Sequence, residues 1–131
     1  MFRLIFATLI GYFLGHERKR HDKSGGSRTM AIVCLTACAV AILTQKIALL
    51  SPETHNFTRL LAYTIAGISF IGNGVILKNK TNVEGLTTAS SLLACVIIGF
   101  FVGMTFYWYA LVIAGLTYII LDMKYWNFKG E

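Results

Sequence analysis

The chain has 131 residues, enough for a single domain. Hydrophobic residues make up 56% and charged residues 14%, against ~45–50% and ~25% in soluble domains, so an ordinary soluble protein is excluded. The net charge of +6 would suit nucleic acid, but the basic residues mostly flank apolar runs, the pattern of topology signals and anionic-lipid contacts. The expected class is therefore an all-α polytopic membrane protein with the lipid bilayer as its first partner and no nucleic acid.

The first apolar run, from Phe2, is short for a span, which needs roughly 20 residues. A signal peptide has an apolar core of similar length. No small-x-small cleavage site follows, however, and Gly-His-Glu-Arg-Lys-Arg-His comes directly after. A retained helix over residues 2–18 is expected. Ala7, Gly11 and Gly15 lie four apart on it and form one small-residue face. The charged island from His16 to Arg28 follows, with Ser24-Gly25-Gly26-Ser27 as a turn. The second run, 29–50, spans comfortably. Ser51 to Asn56 reads as a polar loop, where Pro52 suits a turn or a first helical position.

The third run, 57–77, ends in Gly67, Gly72, Asn73 and Gly74. The turn Lys78 to Gly85 leads to a fourth run, 86–102, which opens with Thr87, Thr88, Ala89, Ser90 and Ser91. Small residues let helix backbones approach in lipid and hydroxyls bond across them, so this hairpin is expected to be the packing centre. Asn73 is its one amide at membrane depth. Such a group is a functional candidate, and its plainer reading is a satisfied helix–helix contact. Gly103-Met104-Thr105 reads as a short connector to the fifth run, 106–122. Aromatics bracket that helix: Trp108 and Trp126 stand ~27 Å apart along it, close to a hydrocarbon core of about 30 Å.

Five spans place the termini on opposite sides. Nine of the twelve Lys and Arg fall on one side, which puts the N-terminus outside and the C-terminus in the cytoplasm. Glu17, Arg18, Arg28, Glu84 and the Thr87/Thr88 pair then gather at the cytoplasmic rim, with Asn73 close by. Glu17 and Arg28 are expected to pair or to share a polar network with Thr87 or Thr88, although rim charges are often simply solvated. Enzyme chemistry finds no support. The histidines lack metal spacing, no nucleophile has an evident base, and Gly-x-Gly at 72–74 is no phosphate loop. Cys34, Cys38 and Cys95 read as small apolar side chains. Cys34 and Cys38 share a helix face, but two thiols are too few for a standard metal site. No cofactor and no metal are expected.

Gly11-x-x-x-Gly15-x-Glu17-Arg18, Arg28-Thr29, Gly67-x-x-Phe70-x-Gly72-x-Gly74-Val75-Ile76 and Gly85-Leu86-Thr87-Thr88-Ala89 occur in this order. Together they resemble the MgtC/SapB family over roughly residues 4 to 103. The resemblance implies a transmembrane domain commonly of five helices in the bacterial inner membrane. It also implies a non-enzymatic regulator linked to magnesium limitation and virulence, acting through membrane-protein partners such as the ATP synthase. Glu17, Arg18, Arg28, Thr29, Asn73, Glu84, Thr87 and Thr88 are the polar candidates, and Gly11, Gly15, Gly67, Gly72, Gly74 and Gly85 the packing ones. The sequence departs from the family pattern at Met30, where histidine is common, and at Ser69 and Asn73, which replace small residues. It ends soon after the fifth helix, so no soluble C-terminal domain of the virulence-type kind is expected. A homo-oligomer, with a dimer favoured, fits the small-residue faces. The alternative function is a small transporter or channel, with Asn73 and the hydroxyl-rich fourth helix as its motive.

Overall fold

The structure, a computed structural model, describes residues 1–20, 25–50, 56–78 and 83–126. Ser24, most of the polar loop around Pro52, Lys80 and Phe128 lie outside the described residues. Five helices follow in chain order: α1 (Phe2–Arg20), α2 (Ser27–Leu50), α3 (Asn56–Val75), α4 (Leu86–Gly103) and α5 (Tyr107–Trp126). A two-residue antiparallel pairing, β1 (Leu77–Lys78) with β2 (Val83–Glu84), ties the end of α3 to the start of α4. Leu77 pairs with Glu84 and Lys78 with Val83, so the third helix stops two residues before its expected end. Helices α2 and α4 are each long and apolar enough to cross a membrane. The apolar side chains Leu111, Val112, Leu116, Ile119 and Ile120 of α5 point outward, as do Ile5, Leu9 and Phe13 of α1. Outward apolar surface of this extent needs a cover other than water.

The bundle is not centred on the expected hairpin of α3 and α4. Its tightest contacts are those of α2 with α1 and with α4, and α4 is the more enclosed of the two apolar spans. On α1, a Cβ added at Gly11 would stand 2.6 Å from the Met30 carbonyl oxygen and 2.8 Å from Cys34 Cβ. One added at Gly15 would stand 2.5 Å from Ser27 Cα. On the other side, one at Gly99 would stand 2.5 Å from the Cys34 carbonyl oxygen, and one at Gly103 2.5 Å from Ala41 Cβ. Small residues on three helices thus bring the backbones into direct contact. Cys34, Cys38 and Cys95 are fully buried there and fill the seam as small side chains. Among the described residues no group of three or more His, Cys, Asp or Glu is placed to hold a metal ion.

Gly103 is the last residue of α4, not part of a loop. The helix ends there for a local reason. Phe106 N–H donates to the Phe101 carbonyl at 2.8 Å and Thr105 N–H to the Val102 carbonyl at 3.1 Å. This is the paired hydrogen bonding of a Schellman stop, with Thr105 in the left-handed region at φ 68°. Phe106 packs back on Phe101 with ring centroids 6.4 Å apart, the apolar contact that accompanies this motif. Arg3, from the start of α1, donates to the Gly103 carbonyl at 3.0 Å and to Gln45 Oε1 at 3.2 Å. A cation at a helix C-terminus is favourable against the dipole, and this one locks the first turn of α1 to α2 and α4.

Candidate functional site

The opposite end of the same three helices holds a buried polar corner. It is built by α1's small-residue face. Ala7, Gly11 and Gly15 bring α1 against α2, and the same face continues to Arg18 three residues on, near one further turn. Arg18 is thereby carried to the start of α4, where its Nη2 donates to Thr88 Oγ1 at 2.6 Å. Arg18 is 6% exposed, Glu17 3%, Thr88 1% and Ser27 6%. A hydrogen bond from a charged donor in a dry setting is stronger than a neutral one. Thr88 is held in turn by its own helix, since Ser91 Oγ donates to the Thr88 carbonyl at 2.9 Å. The turn before α2 closes over the hydroxyl residue. Gly25 has φ +76°, and a Cβ there would stand 2.5 Å from Thr88 Cγ2, so only glycine fits in both backbone and space. Two buried polar atoms of the corner, Arg18 Nε and Ser27 Oγ, have no hydrogen-bond partner among the described residues.

The expected polar residues divide into two groups. Glu17, Arg18 and Thr88 are each buried at this end of the bundle, and Arg18 bonds Thr88. Arg28, Thr29, Thr87, Glu84 and Asn73 are exposed. Arg28, expected to turn inward beside Glu17, stands outside because its neighbour Ser27 takes the inward face against Gly15. One residue along a helix rotates the side chain by about 100°. Asn73 is likewise on the outer side of α3 and not between helices.

The expected packing glycines divide in the same way. Gly11 and Gly15 are pinched against α2. Gly72 has only ordinary contact, 3.5 Å from Ala89 Cβ, and Cβ atoms at Gly67 and Gly74 would meet nothing within 4 Å. Gly85 has φ +89° and lets the β-pairing turn into α4. A side chain there would collide with the Val75 carbonyl.

Sequence reasoning missed Ser27, Gly25, Gly99 and Gly103. The signal for the last two was present: Ser91, Cys95, Gly99 and Gly103 recur every four residues, as Ala7, Gly11 and Gly15 do.

The MgtC family profile matches residues 4–127 of the chain. The chain belongs to the MgtC family. Protein SapB of Bacillus subtilis is 32% identical over 130 residues, 95% of this chain and 55% of the relative. Protein MgtC of Salmonella typhimurium is 38% identical over 101 residues, 77% of this chain and 42% of the relative. The chain therefore spans about half the length of these relatives. No solved structure matches it.

Proposed function

We propose that this MgtC-family chain is a multi-pass inner-membrane protein with five spans, N-terminus outside and C-terminus cytoplasmic. It acts as a non-enzymatic regulator in magnesium homeostasis, by contact with another membrane protein inside the bilayer. The magnesium link and the stress or virulence setting rest on family membership, which also supplies the ATP synthase as the first partner to test.

The observation that carries the contact reading is the outer face of α3. Arg59, Ala62, Tyr63, Ala66, Gly67, Ser69, Phe70, Asn73 and Gly74 are all exposed and recur at helical spacing. Among the described residues of this helix, only Ile68 and Gly72 are buried. A lipid-facing surface needs none of Ala66, Gly67, Ser69 or Gly74, whereas a second transmembrane helix needs small residues to pack closely. The Asn73 amide gives such a helix a hydrogen-bond partner, and an amide left in lipid costs free energy. The occupant we commit to is a transmembrane helix of a different membrane protein.

A photocrosslinking side chain at Ala66, in cells limited for magnesium, tests this. The expected product is an adduct with one membrane protein, identified by mass spectrometry and lost in Gly67→Leu. The same probe at Leu116 on α5 is expected to give no such adduct. Adducts only with lipid, or only with a second copy of this chain, would contradict the reading.

A further inference from the structure

We propose that the corner formed by Arg18, Ser27 and the first turn of α2 binds a phosphate-type oxyanion, either a phospholipid headgroup or the free ion. Arg18 carries five N–H donors. Its described partner, the Thr88 hydroxyl, is neutral and takes one of them. Among the described residues, Arg18 Nε stays buried without an acceptor, and so does the hydroxyl of Ser27. Buried donors without partners are costly, so a corner that keeps two of them is shaped for something that accepts hydrogen bonds.

The backbone adds to the same demand. The helical ladder of α2 begins with Met30 N–H on the Gly26 carbonyl at 3.2 Å, so the N–H groups of Ser27, Arg28 and Thr29 precede it. The helix has 24 residues, and its aligned peptide dipoles favour negative charge at this end. A second N-terminus adjoins it. The ladder of α4 begins at Ala89 N–H on the Gly85 carbonyl, its N-cap Gly85 supplies no side-chain cap, and Thr88 touches Gly25 just ahead of α2.

The charges around the corner agree with an anion. Lys19, Arg20 and Arg28 are exposed at its rim, against exposed Glu84 and buried Glu17. Glu17 lies about 100° around α1 from Arg18. A planar guanidinium suits phosphate oxygens better than an ammonium does, and a serine hydroxyl at a helix N-terminus adds to a ligand set of the usual phosphate-binding kind.

Ser27→Ala is the discriminating variant. It removes a hydroxyl that has no partner, so the ligand-free protein is expected to keep its thermal midpoint or gain slightly. It is expected to lose about tenfold in affinity for the oxyanion, the scale of one hydrogen bond to a charged acceptor. The test uses the full chain in neutral detergent, with thermal unfolding followed against inorganic phosphate, against chloride at matched ionic strength, and against phosphatidylglycerol with phosphatidylcholine as control.

A saturable rise with inorganic phosphate, weakened in Ser27→Ala, identifies the free ion as sufficient. A rise only with phosphatidylglycerol, weakened in the same variant, identifies the headgroup. Arg18→Lys, which keeps the charge and loses the fork, is expected to weaken either one. No rise with either probe overturns the proposal, as does a rise matched by chloride or one undiminished in Ser27→Ala. These results do not depend on the α3 face, so this site and the partner contact stand or fall separately.

Discussion

Helices α1, α2 and α4 meet backbone to backbone, whereas α3 meets the bundle through a narrow strip of side chains and leaves its glycines open. The same residue type does opposite things in the two regions. Gly11, Gly15, Gly99 and Gly103 have no room for a methyl group, while Gly67 and Gly74 face empty space. In the first region glycine stabilises this chain's own fold. In the second it costs helix stability without any return inside the monomer. Under the proposed contact, a neighbouring helix offsets that cost on the outward face beside Asn73. The buried corner of Arg18 and Thr88 belongs to the first region and depends on its tightness.

The largest expected effect is at Gly15. All three nearest atoms to an added Cβ are backbone atoms of Gly26 and Ser27, within 2.9 Å, so no side chain can swing aside. Gly15→Leu is expected to cost at least the ~1–3 kcal/mol of an overpacked site and to prevent assembly of the corner, read as loss of a cooperative unfolding transition in detergent. Arg18→Ala comes next, at about 1–3 kcal/mol, because it leaves the buried Thr88 hydroxyl without its donor. Arg28→Ala, at an exposed position, is expected to stay within about 0.5 kcal/mol. Denaturant titration of the two variants side by side checks this, and equal losses would dissolve the division between buried and exposed polar residues.

Gly25→Ala is expected to lose about 1–2 kcal/mol, the cost of forcing a residue with a Cβ into the left-handed region, with the Thr88 contact adding to it. Gly26→Ala, with nothing within 4 Å, is expected to be near neutral. The smallest effect has the opposite sign. Gly67→Ala is expected to stabilise the isolated chain by roughly 0.5–1 kcal/mol, since it adds a methyl group in open space on a helix. The same variant is expected to weaken the partner adduct.

The number of helices was legible in the sequence, because apolar runs separated by polar islands report length directly. Which helix lies at the centre was not. Glycines 67, 72 and 74, with the small residues Thr87 to Ser91, drew the packing centre to the hairpin of α3 and α4, yet helical phase turns two of the glycines outward. The four-residue period of Ser91, Cys95, Gly99 and Gly103 carried the true contact, and it was obscured by the apolar residues between them. At the polar corner, Arg18 and Thr88 were named among eight candidates, but nothing in the pattern tells which of Arg18 and Arg28 faces inward. That depends on how Gly15 meets Ser27, a contact between helices that only the folded chain fixes. Gly25 and Gly26 look alike in sequence, and only one of them bears on Thr88.

The central claim is that the backbone contacts of α2 with α1 and with α4 are the tight ones and that α3 is peripheral. Leucine at Gly103 and at Gly72 tests it most directly. At Gly103 an added Cβ would stand 2.5 Å from Ala41 Cβ and 2.8 Å from the Cys38 carbonyl oxygen, while at Gly72 it would rest at 3.5 Å from Ala89 Cβ. Thermal unfolding of both variants in the same detergent is expected to show Gly103→Leu clearly less stable than Gly72→Leu. Equal midpoints, or a lower midpoint for Gly72→Leu, would return the packing centre to the hairpin of α3 and α4 and contradict the account.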